Sequence, residues 1–455
     1  MPMNKDPHAL PPTDVQELLN ARQFSGFQWT IFSLCFLVVL FDGFDTAAIG
    51  FIAPSLISEW GVSRSALAPV LSAALLGLAM GALAAGPLAD RWGRKAVLVV
   101  SVALFSLASL ASAFSPDIWT LSLLRLVTGI GLGAAMPNAV TLMSEFCPDA
   151  RRATLTNAMF CGFPLGAALG GFVAAWMIPA WGWGSVLLLG GIAPLALSVL
   201  LVLLLPESLR YMVARNYPAD QIRAVISRVT GASIPAQQSF VLHEPHMQAQ
   251  AGGIALVLSA HYRWGSAMLC LAYFMGLVIF YAVLNWMPVI FRDAGLDART
   301  GALVAALFPL GGMGAVLSGW LMDRFNADRI VAVGYGLTAV AIGGIGMAAG
   351  SLLWLVAAVA LAGLLMNTTQ SSMPALAAGF YPTSARATGV AWMLGIGRFG
   401  GIAGSFLVAE LSARNLGMAG LFALLAIPGA IAMAALLIKQ AFFSVPTAPV
   451  GGVAC

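Results

Sequence analysis

Long, continuous apolar runs dominate the sequence and limit what the chain can fold into. A helix needs about 20 apolar residues to cross the hydrocarbon core of a bilayer, and twelve runs are long enough. The predicted spans are roughly 27–49, 65–86, 96–114, 117–143, 153–178, 183–205, 265–290, 300–322, 330–349, 351–377, 387–409 and 415–438. Because these runs lack the alternation of membrane strands, they favour helices over a β-barrel. We therefore predict an all-α membrane protein with twelve transmembrane helices.

The composition excludes several other classes of protein. Of the 455 residues, 60% are hydrophobic and only 9% are charged, whereas a soluble domain carries about 25% charged residues. This amount of apolar surface rules out a soluble domain and a disordered chain. The formal net charge of +4 does not indicate nucleic-acid binding, because the excess is distributed as a topology signal. The five cysteines are scattered and predict neither a metal site nor a disulfide framework.

The positions of the lysines and arginines predict how the chain is oriented in the membrane. Most of the 22 residues fall on the N-terminal side of the predicted spans. The four that fall on the opposite side are Arg64, Arg292, Arg299 and Arg414. By the positive-inside rule, both termini are expected in the cytoplasm. We therefore expect a multi-pass protein of the bacterial inner membrane.

The spans divide into two halves of six that resemble each other. The predicted segments are a cytoplasmic N-terminal segment (1–26), a six-helix bundle (27–205), a cytoplasmic linker (206–263), a second six-helix bundle (264–438) and a cytoplasmic tail (439–455). Two short amphipathic helices are predicted within the linker. Residues 86–92 match 319–325, and residues 148–154 match 382–388 at nearly the same offset. Parallel repeats of this kind predict a pathway between the halves that opens alternately to each side.

The repeated loop after spans 2 and 8 is a candidate conformational element. We expect Gly86 to let two helices approach closely, and Asp90 to cap a helix or pair with an arginine. The predicted gating-loop residues are Gly86, Asp90, Arg91, Arg94, Asp323 and Arg324. They form a latch on the cytoplasmic side or serve topology and packing alone. Residues 86–95 resemble the signature loop of the major facilitator superfamily, which implies the fold of that superfamily with twelve helices in two six-helix repeats.

Four charged residues lie inside predicted spans, where each charge costs about 2.5–3.5 kcal/mol on insertion scales. Asp42 and Asp45 in the first span are three residues apart and therefore share one helical face. Two neighbouring carboxylates in a low dielectric repel, which favours a proton on one of them and suits proton coupling. Arg125 in span 4 is expected to pair with an aspartate, and Arg398 in span 11 is suited to clamping a carboxylate. Static ion pairs between helices are the alternative.

The sequence around these charges resembles one particular family within the superfamily. The motif Asp42-Gly-Phe-Asp45 resembles the Asp-Gly-x-Asp motif of the aromatic acid:proton symporter family. The glycine-rich surroundings of Arg125 and Arg398 are similar to spans 4 and 11 of that family. The resemblance implies uptake of an aromatic carboxylate together with a proton. Carried over to this chain, the resemblance implies that the two aspartates handle proton coupling and that the two arginines bind the anion.

Neutral side chains in the spans complete the predicted substrate site. Tyr281 and Trp286 in span 7 are candidates to stack on an aromatic ring, or they serve packing. Asn367 and Gln370 in span 10 are candidates to hydrogen-bond a ring hydroxyl, or only each other. No histidine lies within a predicted span, so any proton transfer falls on carboxylates.

The sequence therefore predicts a proton-coupled secondary transporter that imports an aromatic carboxylic acid of the benzoate type by alternating access. A sugar porter or another small organic-acid porter of the superfamily, and a non-transporting membrane receptor, are the alternatives. We expect no enzymatic activity, no metal and no cofactor besides the proton gradient. ATP is not implied, because the sequence has no GxxxxGK[ST] motif. The expected partners are the small aromatic carboxylate, protons and the lipid bilayer, without nucleic acid, and the expected state is a monomer.

Overall fold

Helices form nearly all of the regular structure in a computed structural model of the chain. The structure describes residues 13–231, 235, 240–241, 253–314, 321–322, 324–348, 350–381, 383–414 and 416–443. Within these ranges, eleven helices have the length and the apolar composition needed to cross a membrane. The prediction of a helical, multi-span membrane protein is thereby confirmed.

The chain forms two compact units, of which the first comprises residues 1–247 and 287–306. Its helices up to residue 230 are α1 (Val15–Asn20), α2 (Gly26–Trp60), α3 (Arg64–Trp92), α4 (Arg94–Ser112), α5 (Ile118–Phe146), α6 (Asp149–Phe160), α7 (Gly162–Trp181), α8 (Gly184–Leu204), α9 (Leu209–Ala214) and α10 (Ala219–Thr230). The short strands β1 (Thr13–Asp14) and β2 (Phe240–Val241) pair in parallel. Helices α9 and α10 are the two short helices predicted within the linker.

The second unit comprises residues 248–286 and 307–455. The helices from residue 253 onward are α11 (Gly253–Val257), α12 (Arg263–Asp293), α13 (Ala298–Leu310), α14 (Ala327–Met347), α15 (Leu352–Phe380), α16 (Thr383–Ala413) and α17 (Met418–Phe442). Most of α13 belongs to the first unit. The end of α12 belongs to the first unit, where Arg64 Nη2 lies 2.5 Å from Asp293 Oδ2. In the same region Arg292 Nη1 donates a hydrogen bond to Pro54 O over 3.0 Å.

Several helices differ in length from the predicted spans. Helix α2 has 35 residues and continues past Pro54 to Trp60, well beyond the predicted end at residue 49. Span 5 is built from α6 and α7, which meet at Cys161. The eighth predicted span is described only in part, because α13 has 13 residues, a 3₁₀ turn follows over Gly311–Gly314, and residues 315–320 lie outside the described part.

Local sequence signals fix the ends of the first long helices. Ser25 and Gln28 form a reciprocal capping box at the start of α2, and Gly61 ends the helix with a left-handed conformation (φ +63°). Asp117 caps α5 by accepting hydrogen bonds from the backbone of Thr120 and Trp119. The backbone and hydroxyl donors of Thr120 lower the pKa of Asp117, because both favour the ionised carboxylate.

Large apolar side chains cover the outer surface of the helices. Leu83 is 81% exposed, Val340 74% and Leu353 76%. Apolar patches on this scale are unfavourable in water, whereas lipid chains solvate them at no cost. The buried positions of the same helices are rich in small residues, which lets helix backbones approach one another. The fold therefore fits a bilayer and places its few buried polar groups in the interior of each unit.

Candidate functional site

A buried ion pair joins α2 to α5 inside the first unit. Arg125 Nη1 lies 3.1 Å from Asp45 Oδ1 and 3.0 Å from Oδ2, so one guanidinium nitrogen contacts both carboxylate oxygens. Both side chains are 1% exposed. Arg125 Nη2 donates to the hydroxyls of Ser112 and Thr128, over 3.2 and 3.1 Å. The predicted pairing of Arg125 with one of the two aspartates is therefore present, and the partner is Asp45.

Serine hydroxyls of α4 complete the surroundings of the pair. Ser109 donates to Asp45 Oδ1 over 3.0 Å and also lies 3.3 Å from Leu187 O on α8. Asp42, the other predicted acid, is 2% exposed and accepts a hydrogen bond of 3.4 Å from Thr46. Both carboxylates are thus buried among polar groups, and Asp45 forms the ion pair with Arg125.

Gly43, between the two acids, lets α2 touch α7. A Cβ atom at this position would lie 2.0 Å from the backbone oxygen of Phe163. Such a contact is impossible for any other residue without moving one of the helices. The close partner of Gly43 is therefore a neighbouring helix, α7.

The two charges of this pair depend on each other. Removing two charges from water costs several kcal/mol per ion, and mutual attraction with good hydrogen bonds offsets that cost. Loss of the carboxylate charge at position 45 would leave the Arg125 guanidinium buried without its counter-ion. The charge at position 45 is therefore linked to the contact between α2 and α5.

The second unit contains the other predicted intramembrane cation, Arg398 on α16. Its side chain is half-buried, so it is more accessible than Arg125. The residue before it, Gly397, contacts Tyr273 of α12, since a Cβ at 397 would lie 2.2 Å from the Tyr273 ring. The Tyr273 hydroxyl lies within electrostatic reach of the Arg398 guanidinium. An aromatic face and a positive charge are therefore adjacent in this unit.

The polar residues predicted in span 10 have different environments. Asn367 donates to Phe308 O over 2.9 Å and to Gly363 O over 2.8 Å, so its amide nitrogen is used for helix packing. Gln370 accepts a hydrogen bond of 2.7 Å from Tyr335 of α14. Asn367 is therefore hydrogen-bonded to backbone oxygens, whereas Gln370 lies beside hydroxyl groups.

The two aromatic candidates of span 7 also differ. Trp286 is completely buried, and its indole N–H donates to Ser405 O over 3.0 Å. This geometry favours the packing role that the sequence left open for Trp286. Tyr281 is half-buried and forms an edge contact with Phe280, with ring centroids 5.2 Å apart. Of the two rings, Tyr281 therefore has more exposed surface for a ligand.

The first residues of the predicted loop motif form the end of α3, which continues to Trp92. Gly86 is exposed, and a Cβ at this position would meet no described atom within 4 Å. No helix of the described residues therefore makes the close contact expected at Gly86. Helix α3 approaches α5 earlier along the helix, at Gly77 and Gly81, where an added Cβ would lie 2.1 Å from backbone oxygens.

The basic residues of the motif contact the linker. Arg94 Nε lies 3.7 Å from Glu145 Oε1, and its guanidinium lies 5.5 Å from the centre of the Tyr211 ring. The Arg91 backbone oxygen accepts a hydrogen bond of 3.0 Å from the Tyr211 hydroxyl. Arg324 in the second copy is exposed. The side chain of Asp90 and the whole of Asp323 lie outside the described residues.

Sequence reasoning missed several residues of these sites. Glu207 accepts the backbone N–H of Lys95 at the start of α4 over 3.1 Å, and thereby caps a helix that has no cap of its own. Ser109 and Ser112 could have been found from the sequence, because two serines three residues apart in an apolar run share one helical face. Tyr335 could have been found in the same way, because it places a hydroxyl group inside predicted span 9. No local pattern could connect Glu207 to a helix more than 100 residues earlier.

Comparison with known proteins identifies the family. The protein-family model described as Major Facilitator Superfamily matches residues 35–349 and 269–451. The chain therefore belongs to the major facilitator superfamily, as the loop motif indicated. The inward-open structure of the xylose transporter XylE from E. coli has a TM-score of 0.72 at 19% identity, covering 93% of this chain and 97% of that one. At this identity the likeness supports the fold alone.

Relatives with higher identity have names that describe transport. The chain is 49% identical over 429 residues to a protein of Pseudomonas aeruginosa named 4-hydroxybenzoate transporter PcaK, covering 94% of this chain and 95% of the relative. It is 48% identical over 427 residues to a Gallate transporter of Pseudomonas putida, with the same coverage. The family and the eleven membrane-length helices make this chain a multi-pass transporter of the bacterial inner membrane and not an enzyme.

Proposed function

We propose that this chain imports small aromatic carboxylates together with protons, by alternating access. For proton coupling, the observation that carries the proposal is the fully buried pair of Asp45 and Arg125 in the first unit. An ion pair between helices at this depth is costly to keep, and membrane proteins retain such groups mainly on ion and proton pathways.

The substrate class follows from charge and from the relatives. The half-buried guanidinium of Arg398, next to an aromatic ring, suits an anion that carries an aromatic group. The names of the relatives supply the same class, since 4-hydroxybenzoate and gallate are both hydroxylated benzoates. In this proposal Arg398 binds the carboxylate, whereas Arg125 serves the coupling pair because its two Nη atoms donate to Asp45, Ser112 and Thr128.

Energetics explain why a proton must accompany the acid. Moving one negative charge into a negative interior is opposed by about 2.3 kcal/mol per 100 mV. One proton carried with each carboxylate cancels that charge, and the pH gradient then drives accumulation. Asp45 and Asp42 carry the proton in this proposal, and the loops around Asp90 and Asp323 control opening. The protein works as a monomer and needs no cofactor or ATP.

Uptake into proteoliposomes tests the proposal. The purified protein is reconstituted, an acidic outside is imposed, and entry of labelled 4-hydroxybenzoate is compared with entry into protein-free liposomes. We expect accumulation that ends when the gradient is dissipated. Arg398→Lys should raise the half-saturating concentration, because a lysine cannot replace the two-pronged contact of a guanidinium with a carboxylate.

The alternatives give different results in the same assay. A non-transporting receptor would bind the acid and show no uptake under any imposed gradient. A sugar porter would take up a labelled sugar such as xylose and ignore the aromatic acid. Equal entry of 4-hydroxybenzoate into liposomes with and without the protein would refute the proposal.

A further inference from the structure

Two tyrosines and a glutamine form a polar cluster where three apolar helices of the second unit meet. Tyr335 on α14 donates its hydroxyl proton to Gln370 Oε1 on α15 over 2.7 Å. Tyr335 is completely buried, so this bond fixes the orientation of the amide inside the protein. Tyr273 on α12 lies beside the same amide.

A glycine on α12 provides the space for this cluster. A Cβ atom at Gly276 would lie 2.0 Å from Gln370 Oε1 and 2.6 Å from Tyr335 Oη. Because both contacts are far shorter than van der Waals separation, any side chain at this position would displace the pair. Gly276 follows Tyr273 by three residues and therefore lies on the same face of α12. The backbone of α12 and the two hydroxyl groups thus enclose the amide.

The amide has one donor left over. Gln370 Nε2 is buried and makes no hydrogen bond of ordinary length and angle with any residue in the described part of the chain. Native proteins leave few buried donors unpaired, because the lost hydrogen bond is costly. The Tyr273 hydroxyl is the neighbouring acceptor, and an acceptor on a bound ligand would give the amide nitrogen a hydrogen bond of ordinary length.

The leftover donor is close to the cation of the same unit. The Tyr273 ring contacts α16 at Gly397, and the following residue is Arg398. Tyr273 is therefore near both the guanidinium and the amide. A positive charge, an aromatic ring and a neutral donor are neighbours in this unit.

We propose that Gln370, oriented by Tyr335, recognises a hydroxyl group on the ring of an aromatic carboxylate whose carboxyl group binds Arg398. Gln370 Nε2 donates to the phenolic oxygen, and the hydroxyl of Tyr273 accepts the phenolic proton. The assignment rests on the proposed function and adds to it a preference for hydroxylated over unsubstituted benzoates. A site that hydrogen-bonds a substrate hydroxyl discriminates strongly against an analogue of similar size that lacks it.

The test measures binding of three acids to the purified full-length transporter. The ligands are 4-hydroxybenzoate, benzoate and 4-methylbenzoate, the last matching the hydroxylated acid in size. The wild type should bind 4-hydroxybenzoate at least about tenfold more tightly than 4-methylbenzoate. Gln370→Leu should reduce this ratio about tenfold and change the affinity for benzoate less than twofold. Tyr335→Phe should reduce the ratio in the same direction, because it frees the amide to turn.

Matched variants and ligands separate this inference from its alternatives. Thr338→Val removes another hydroxyl of α14, which bonds Gly334 O on its own helix, and should leave the ratio unchanged. An unchanged ratio in Gln370→Leu, or an equal loss of affinity for all three acids, would overturn the assignment. If Gln370→Leu does not fold, the ratio in Tyr335→Phe decides in the same way. A wild type that binds benzoate without preferring the hydroxyl refutes only this inference, whereas a wild type that binds none of the acids refutes the proposed function.

Discussion

Replacing Asp45 with asparagine tests the buried ion pair directly. The substitution preserves the size of the side chain and removes its charge, so Arg125 stays positive at 1% exposure without a counter-ion. Breaking a buried pair from one side typically costs about 3–5 kcal/mol. Because an asparagine oxygen still accepts one N–H from Arg125, and Ser112 and Thr128 retain their contacts, we expect about 3 kcal/mol.

The assay combines stability with transport. Thermal unfolding of the purified protein should show a clear loss of stability in Asp45→Asn, and proteoliposomes should lose accumulation driven by a pH gradient. The double variant Asp45→Asn with Arg125→Gln removes both charges and should recover much of the stability. It should not recover proton-driven accumulation, because the group that exchanges the proton is still missing.

A surface pair supplies the matched control. Asp220 is paired with Arg223 over 2.6 Å, but its side chain is 87% exposed. Asp220→Asn should therefore change stability by less than about 1 kcal/mol and leave uptake intact. Wild-type stability and accumulation in Asp45→Asn would refute the reasoning. A double variant less stable than Asp45→Asn would also contradict it.

Three further predictions concern packing and capping. Gly43→Ala places a Cβ 2.0 Å from the Phe163 backbone oxygen, so α2 and α7 must separate, and both yield and uptake should fall sharply. Lys439→Met leaves Asp328 without its 2.7 Å partner and should lower stability by about 2 kcal/mol in thermal unfolding. Glu207→Leu removes the acceptor for the backbone N–H of Lys95 in the first turn of α4 and should speed hydrogen exchange there, with a cost of about 1 kcal/mol.

The helical class and the eleven membrane-length helices of the described residues could be predicted because they depend on composition and length. Helix ends were less predictable, since α2 continues through Pro54 to Trp60 although about 20 residues suffice to cross the bilayer. Tertiary packing supports these extra turns, and no local rule places their end. Gly86 shows the same limit, because a glycine in the repeated loop motif predicted a close contact that depends on neighbouring helices.

The residues of the candidate sites could be predicted from the sequence, but the contacts between them could not. Charge within apolar runs identified Asp42, Asp45 and Arg125, since such residues are rare in spans. The choice of Asp45 as the partner depends on how α2 is rotated against its neighbours, which Gly43 and α7 fix. The cluster around Gln370 depends on Tyr335, whose hydroxyl approaches from another helix. Spacing along one helix gives the face that residues share but not what that face meets.

Proton movement measured together with the acid tests the central claim most directly. A pH-sensitive dye is trapped inside proteoliposomes without an imposed gradient, and labelled 4-hydroxybenzoate is added outside. We predict that the interior acidifies as the acid enters, faster than in protein-free liposomes, and that Asp45→Asn abolishes the difference. Protein-dependent entry of the acid without any acidification beyond the protein-free rate would contradict proton coupling.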